Sequence, residues 1–431
     1  MKFRRFVVAG GGIGGMAAAA AVAPYADDVV VVERDGIDDV GGPRRGVPQS
    51  GQLHNLLARA QCHLEELLPG FLDGLESAGA SKARVSSDTH VFELGHRMPE
   101  RDLGLSLMSA SRPVIESTMR ERLATVFPSV RFVHASSVVG VVLDEQRRIT
   151  AAEISTDRDT TKLDADVVID CSGANASGLH WLADLGVVPP EVEELDVGQW
   201  YATCQFERPP DFDDPNRFWM VFPTPPESLG ALLSPSGQST WYASVSGRRG
   251  DTPPRTAADL IAHARSLEDP VIGELLDRAS AAGEPRVFMK ATATWRHYET
   301  WDDPVAGFLP LGDALASLNP LFGQGVSVAA WEAAELRRVM GENHVVDGSL
   351  DELTCSYLRS AGHCVARAWE LGALVMADSS DASMTAMKKL ASGVLQDGEL
   401  HQLYVRMWHL LEPSDRFDRP DAVARLSDAT A

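Results

Sequence analysis

A glycine-rich turn framed by two apolar runs constrains this chain more than any other feature. Residues Phe6 to Ala9 form a short β-type run, Gly10-Gly11-Gly12-Ile13-Gly14-Gly15 supplies G-x-G-x-x-G, and Met16 to Ala23 reads as a helix. Val29-Val30-Val31-Val32 then has the composition of a buried parallel strand, and it ends at Glu33. Gly10 permits the tight turn, Gly12 lets the backbone approach a pyrophosphate, and Gly15 lets the helix pack closely on the strand. A pyrophosphate would sit at the helix N-terminus, among N–H groups and the positive end of the helix dipole. Glu33 lies where a carboxylate accepts hydrogen bonds from a ribose diol, which favours an unphosphorylated adenosine ribose. The unit implies a dinucleotide. By itself it does not separate NAD from FAD, because both place ADP in the same way.

The start of the chain also imitates a secretory signal, with Met1-Lys2-Phe3-Arg4-Arg5 ahead of an alanine-rich stretch ending Ala21-Val22-Ala23. Interrupting glycines and the following strand with its terminal acid fit a nucleotide-binding unit better. No uninterrupted apolar run reaches about 18 residues, so no membrane span is expected. With 431 residues the chain exceeds what one hydrophobic core usually serves, and two closely joined domains are expected. The net charge of -22 repels phosphate backbones and anionic bilayers, which argues against nucleic acid as a partner. Five cysteines without a CxxC pair fit neither a zinc site nor a disulfide framework; a reducing cytoplasm and no metal are expected.

Two later segments narrow the dinucleotide. Phe308-Leu309-Pro310-Leu311-Gly312-Asp313-Ala314 reads as a buried strand ending in Gly-Asp. Asn319-Pro320-Leu321-Phe322-Gly323-Gln324-Gly325 follows, then a helix from Val326 to about Val339. This arrangement resembles the second FAD motif of the aromatic-hydroxylase family of FAD-dependent monooxygenases. The resemblance implies FAD as cofactor, with Gly312 in the turn and Asp313 on a ribityl hydroxyl. It also turns the Gly323-Gln324-Gly325 amides to the flavin pyrimidine edge, with Pro320 and Val326 as further cofactor-binding residues of the loop and helix start. Reduced flavin carries negative charge near N1 and C2=O, and a helix N-terminus offers it partial positive charge and donors.

Pro43-Arg44-Arg45-Gly46-Val47-Pro48-Gln49, leading to His54 and a helix expected over Leu56 to Leu68, resembles the R-x-GVPQ segment of the polyether-epoxidase branch. Ser111-Arg112-Pro113-Val114-Ile115-Glu116 resembles the family's R-x-x-L/I-E segment, opening a helix to Val126. The resemblance puts Arg44 and Arg112 beside the FAD phosphates. With these, Gly10, Gly12, Ile13, Gly14, Gly15, Glu33 and Arg34 complete the expected cofactor-binding set. Val167-Val168-Ile169-Asp170-Cys171-Ser172-Gly173 resembles the family's D-x-x-G turn, in which Asp170 is expected to be structural.

Between Val197 and Gly247, short β-type runs (Trp200 to Phe206, Phe218 to Phe222, Ala231 to Leu233, Thr240 to Ser246) alternate with Pro, Asp and Gly turns. The expected fold is α/β. A Rossmann-type FAD-binding domain covers 1–80, 110–190 and 300–345. A mixed or antiparallel β-sheet substrate domain covers 81–109 and 191–299, and C-terminal helices fill 346–431. His54, Phe92, Tyr201, Phe218, Met220, Trp241 and Phe322 are the candidate substrate-pocket residues, with Trp200 and Trp219 as further aromatic candidates. Leu353 to Ala377 and Leu400 to Leu411 read as helices, and Glu412 to Ala431 as a polar, frayed end.

The resemblance implies that NADPH or NADH reduces FAD and that the reduced flavin adds O2 at C4a, giving a hydroperoxide that epoxidises an alkene or hydroxylates a ring. No catalytic side chain is required, because the cofactor carries the chemistry. Polyketide, terpenoid or aromatic small molecules are the implied substrates. A reductase or dehydrogenase of the geranylgeranyl-reductase type shares the same motifs, and a non-enzymatic flavin-binding protein is a further alternative. The WxWxIP motif of tryptophan halogenases is absent.

Overall fold

The computed structural model describes residues 3–36, 51–156, 159–214, 216–223, 228–237, 239–346, 349–376 and 381–428. Arg44 and the whole Pro43–Gln49 segment lie outside these residues. The first apolar runs become the centre of a five-stranded parallel sheet, in the order Phe308–Pro310, Val167–Asp170, Phe3–Ala9, Ala26–Val32, Val130–Val133. Its inner strands are covered on both faces, with Val7, Val8, Val30, Val31, Val168 and Ile169 wholly buried. Such strands read as continuous apolar runs rather than alternating ones.

The helix Ile13–Val22 crosses between the first two strands. From Met16 to Val22 every residue is fully buried, since the helix is sandwiched between the sheet and the helix Gly325–Val346. Alanine permits that close double packing. Near Leu56 the chain departs from expectation. Leu53–Leu56 is a strand antiparallel to Ser106–Ser111, and the helix begins only at Ala58, ending at Leu67.

A second, mixed sheet shares a cavity with the ends of the parallel strands. Its order is Ala316–Ser317, Arg286–Arg296, Val192–Glu207, Thr240–Arg248, Gly230–Ser236, Phe218–Val221, Thr89–Glu93, His96–Arg97. All its pairings are antiparallel except that of Phe218–Val221 with Thr89–Glu93. Successive side chains of a strand point to opposite faces. One face carries Trp200, Ala202, Phe206, Trp219, Leu233, Trp241 and Val245, packed against Leu260, Ala264, Ile272 and Leu276. Those last four come from the helices Ala257–Arg265 and Val271–Leu276. The other face looks toward the parallel sheet.

This alternation removes several aromatic residues from the pocket. Trp200, Trp219 and Trp241 belong to the helix-covered face, and Phe92 packs against the same cluster. Phe218, wholly buried, packs with Leu57, Val85, Leu107 and Val405. Both faces of the sheet are buried, so hydrophobicity alone could not tell which parity faces the cavity.

The C-terminal region forms the helices Leu350–Met376, Asp381–Gln396 and Gly398–Trp408. The segment expected to fray instead contains a helical turn, Ser414–Asp418, and the helix Pro420–Asp428. Pro420 suits a first helical position, Ala422 is buried, and Arg425 pairs with Asp397 at 2.8 Å. Among the described residues no helix is long and apolar enough to cross a membrane, and no cluster of His, Cys, Asp and Glu could hold a metal ion.

Candidate functional site

A cavity of about 880 Å3 opens at the carboxyl ends of the parallel strands and runs beneath the second sheet. This is where open α/β sheets hold ligands. Ala9, Glu33, Cys171 and Leu311, at or just past the ends of their strands, all line it. So do Gly10, Gly12, Ile13, Gly14, Gly15, Arg34, Arg112, Gly312, Asp313, Pro320, Gly323, Gly325 and Val326.

The glycine turn is built as the motif requires. Gly10 has φ +112°, and a Cβ there would meet the Cys171 carbonyl oxygen at 2.4 Å. A Cβ on Gly15 would lie 1.8 Å from the Gly10 carbonyl oxygen. At Gly12, by contrast, a Cβ would make only ordinary contact, with an Arg112 guanidinium nitrogen at 3.5 Å and Glu116 Oε1 at 3.9 Å, so the fold itself does not demand a glycine there. Gly12 is the N-cap of its helix, no side chain caps it, and the first turn carries no acid. Such a helix start presents N–H donors and positive potential to an anion.

Glu33 is buried at the rim of this turn. Its Oε2 accepts the Gly11 N–H at 2.7 Å and its Oε1 the Asp35 N–H at 3.0 Å. The carboxylate lines the cavity at the position where the motif meets a ribose hydroxyl. Arg112 opens the helix Arg112–Val126, one turn ahead of Glu116. Its Nε donates to Glu116 Oε1 at 2.8 Å, and both side chains are largely buried. The pair fixes the guanidinium beside Gly12, where phosphate charge would sit.

His54 also lines the cavity, with Nδ1 3.1 Å from the Gln52 carbonyl oxygen. Burial, and then the Arg112 cation, push its pKa down to about 4, so the ring is neutral at physiological pH. Asp170 is wholly buried and accepts the N–H groups of Ser172 at 2.9 Å and Gly178 at 2.8 Å. It shapes the turn and does not line the cavity.

The second half of the site is the turn at Gly312, where φ is +68°. The Gly312 N–H donates to Glu332 Oε2 at 2.6 Å. Glu332 is wholly buried, burial raises its carboxyl well above the usual range, and its other oxygen has no partner. Arg296 reaches the carbonyl oxygens of Asp313 at 3.3 Å, Ala314 at 3.4 Å and Ala174 at 3.0 Å. The Tyr357 hydroxyl donates to the Pro310 carbonyl at 2.8 Å. These buried groups hold Asp313 at the cavity wall, and none of them is marked by a local motif.

Beyond it, Asn319 Oδ1 accepts the Leu321 N–H at 3.1 Å, and Gly323 turns the chain at φ +64°. No atom lies within 4 Å of a Cβ placed on Gly323 or Gly325. The Gln324 side chain is buried away from the cavity and donates to the Trp408 carbonyl at 2.9 Å, so only its backbone could serve a cofactor.

Of the expected pocket residues, His54, Tyr201, Met220 and Phe322 line the cavity, whereas Phe92, Phe218 and Trp241 do not. Phe222, Leu232, Phe288, Lys290 and Trp408 do, and the sequence reading missed them. For Phe288 and Lys290 the available signal was the alternation of the Arg286–Arg296 strand.

The residues present fit FAD. The glycine turn, uncapped helix start, Glu33 and Arg112 would take the ADP half. Asp313 and the open Gly323–Gly325 corner would take the flavin half. Residues 6–184 match the model of the FAD dependent oxidoreductase family, a likeness confined to the first part of the chain. Protein Rv3254 of Mycobacterium tuberculosis is 29% identical over 364 residues, covering 80% of this chain and 74% of that protein. A flavoprotein/dehydrogenase from Cytophaga hutchinsonii shares the fold at a TM-score of 0.70 and 15% identity, over 100% of this chain and 98% of the other. The p-nitrophenol 4-monooxygenase PnpA from Pseudomonas putida DLL-E4 does so at 0.69 and 15%, over 96% and 100%. At such identities the likeness is one of fold.

Proposed function

We propose that the chain is an FAD-dependent monooxygenase that inserts one oxygen atom from O2 into an apolar small molecule, with NADPH or NADH as reductant. The carrying observation is that one cavity joins the Gly10–Gly15 turn, the Asp313 turn and the inner face of the second sheet. A cofactor laid along the first two would present its reactive end to a chamber walled by Met220, Phe222, Leu232 and Phe288.

Bound FAD supplies the electron transfer and oxygen chemistry. The protein's part is to bind, orient and exclude water. The Gly12 helix start and Arg112 neutralise the diphosphate, Glu33 accepts from the ribose, and Asp313 orients the ribityl chain. The start of the Gly325–Val346 helix favours negative charge on the nearby ring edge. The apolar wall keeps bulk water out. In this reading the FAD-binding domain takes 1–80, 110–190 and 300–345, and the substrate domain 81–109 and 191–299. A polyketide or terpenoid alkene undergoing epoxidation, or an aromatic ring undergoing hydroxylation, suits the chamber.

A reductase of the geranylgeranyl-reductase type is the second reading, favoured by the fold shared with a flavoprotein/dehydrogenase. Labelled oxygen separates the two. Under 18O2 with NADPH or NADH, the monooxygenase gives product carrying one 18O atom; product formed without oxygen overturns the proposal.

A further inference from the structure

Strand alternation gives the second sheet two faces of opposite character. The helix-covered face is apolar throughout its core, whereas the cavity face mixes Met220, Leu232 and Phe288 with Tyr201, Thr203, Ser244, Ser246 and Lys290. Polar groups walled off from bulk water cost stability unless they find partners. Some find them within the wall: the Thr203 hydroxyl donates to the Gln52 side-chain oxygen and can accept from the Ser244 hydroxyl, 2.9 Å away.

Two do not. The Tyr201 hydroxyl is enclosed and has no hydrogen-bond partner. Lys290 is half-buried, its ammonium donates to Ser317 Oγ, and it forms no ion pair among the described residues. An ammonium carries three donors, so two are left for the cavity. The register pairs Gln199 with Lys290 and Tyr201 with Phe288, so Tyr201 and Lys290 are diagonal neighbours on one face, roughly 7–8 Å apart.

The position of the cation matters too: the Asp313 carboxylate acts on it electrostatically, although the two form no close ion pair. Ser317 lies in the short strand Ala316–Ser317, which leaves the Asp313 turn and pairs with Arg286–Arg296 through Thr294. The ammonium therefore stands at the seam between the sheet and the segment assigned to the flavin. Because the chain as a whole carries -22, its general field does not draw anions in. Anion binding here has to be a local contact.

We propose that Lys290 holds an anionic group of the substrate, a carboxylate or an ionised enol or phenol hydroxyl, with the Tyr201 hydroxyl as a second donor. The apolar body of that substrate lies along Met220, Leu232 and Phe288. The assignment rests on the monooxygenase reading only in placing the anion beside the cofactor; recognition of the anion belongs to the wall itself.

The experiment compares 2-naphthoate with its uncharged analogue 2-naphthamide. Binding to the FAD-loaded protein is followed by naphthyl fluorescence and by perturbation of the flavin spectrum. Wild type should prefer the carboxylate by at least about tenfold, as expected of a charge-assisted hydrogen bond. Lys290→Met should abolish the preference, Lys290→Arg should retain it, and Tyr201→Phe should weaken carboxylate binding a few-fold without altering amide binding.

Equal affinities in wild type, or no naphthoate binding by wild type, overturn the proposal. So does an unchanged preference in a Lys290→Met protein of normal FAD content. If that variant's flavin midpoint potential has fallen, the ammonium serves the cofactor instead. Failure to retain FAD would defeat the monooxygenase reading, while naphthyl fluorescence would still report on the wall.

Discussion

The indole Nε1 of Trp408 donates to the carbonyl of Phe322 at 3.2 Å, tying the last residue of the helix Gly398–Trp408 to the loop that turns at Gly323. Gln324 returns the bond to the Trp408 carbonyl, and Ala58 and Arg59 hold the next residues through His409 Nδ1 and the Leu410 carbonyl. The end of the helix Gly398–Trp408 and the residues after it therefore brace the Gly323 corner of the cavity. Trp408→Phe keeps an aromatic ring but removes the N–H donor together with part of the indole's packing, and should cost about 1–3 kcal/mol. If the brace acts on the cofactor, FAD dissociation should rise several-fold while the melting temperature moves only a few degrees, measured by flavin fluorescence and thermal unfolding.

The three glycines of the first turn should fail in different ways. Gly12 has φ -78°, which any residue adopts, and its Cβ would meet nothing closer than 3.5 Å. Gly12→Ala should thus leave the unliganded fold within about 0.5 kcal/mol of wild type, yet lose FAD because the methyl group occupies the diphosphate's place. Gly15→Ala collides with the Gly10 carbonyl, and Gly10→Ala combines a collision with positive φ, so both should destabilise the protein itself. Chemical denaturation alongside FAD titration separates the cases. A Gly12→Ala protein that binds FAD normally would show that the space beside Gly12 is not the diphosphate site.

What was legible in the sequence is what is local along the chain. Gly10 to Gly15, Glu33, the Arg112 segment and Gly312-Asp313 carry their structural meaning within a few consecutive residues, and each lies at the cavity. Trp241 and Phe218 were misread because a strand's parity becomes informative only once the helices covering one face are known. Lys290, Arg296, Glu332 and Trp408 act through contacts with residues distant in sequence. Arg296 reaches Ala174, and Trp408 reaches Phe322. No short motif encodes such meetings.

Asp313 sits on the cavity wall with its backbone held by Arg296 and the preceding N–H held by Glu332. Its side chain can therefore be altered without releasing the turn. Asp313→Ala should weaken FAD binding by about tenfold or more, the usual size of a lost hydrogen bond to a charged group. Glu332→Gln should leave FAD binding within a few-fold, because the amide keeps an oxygen to accept the Gly312 N–H. Equilibrium FAD titration of both variants checks the contrast, and unchanged affinity in Asp313→Ala would remove the ribityl assignment.

The same C-terminal helix also ties the fold to pH. The Tyr404 hydroxyl donates to Glu93 Oε1 at 2.6 Å, joining the helix Gly398–Trp408 to the strand Thr89–Glu93. Burial pushes the Glu93 carboxyl up to about 7, against an ordinary value of 4.5, and the Tyr404 bond only partly offsets this. A folded-state pKa raised above the unfolded one means that the native protein holds the proton more tightly. The resulting stability is fully present below pH 4.5 and is lost as pH rises through about 7. Its ceiling is about 3 kcal/mol for a shift of this size. Glu93→Gln keeps a neutral acceptor for Tyr404 and should remove that slope, leaving the variant more stable than wild type at pH 8. Since the helix also carries Trp408, FAD release from wild type should quicken over the same interval while that of Glu93→Gln stays flat. Denaturant unfolding and FAD dissociation followed from pH 5 to 8 would show whether the two curves move together; a Glu93→Gln protein with the wild-type slope would assign the pH dependence to another group.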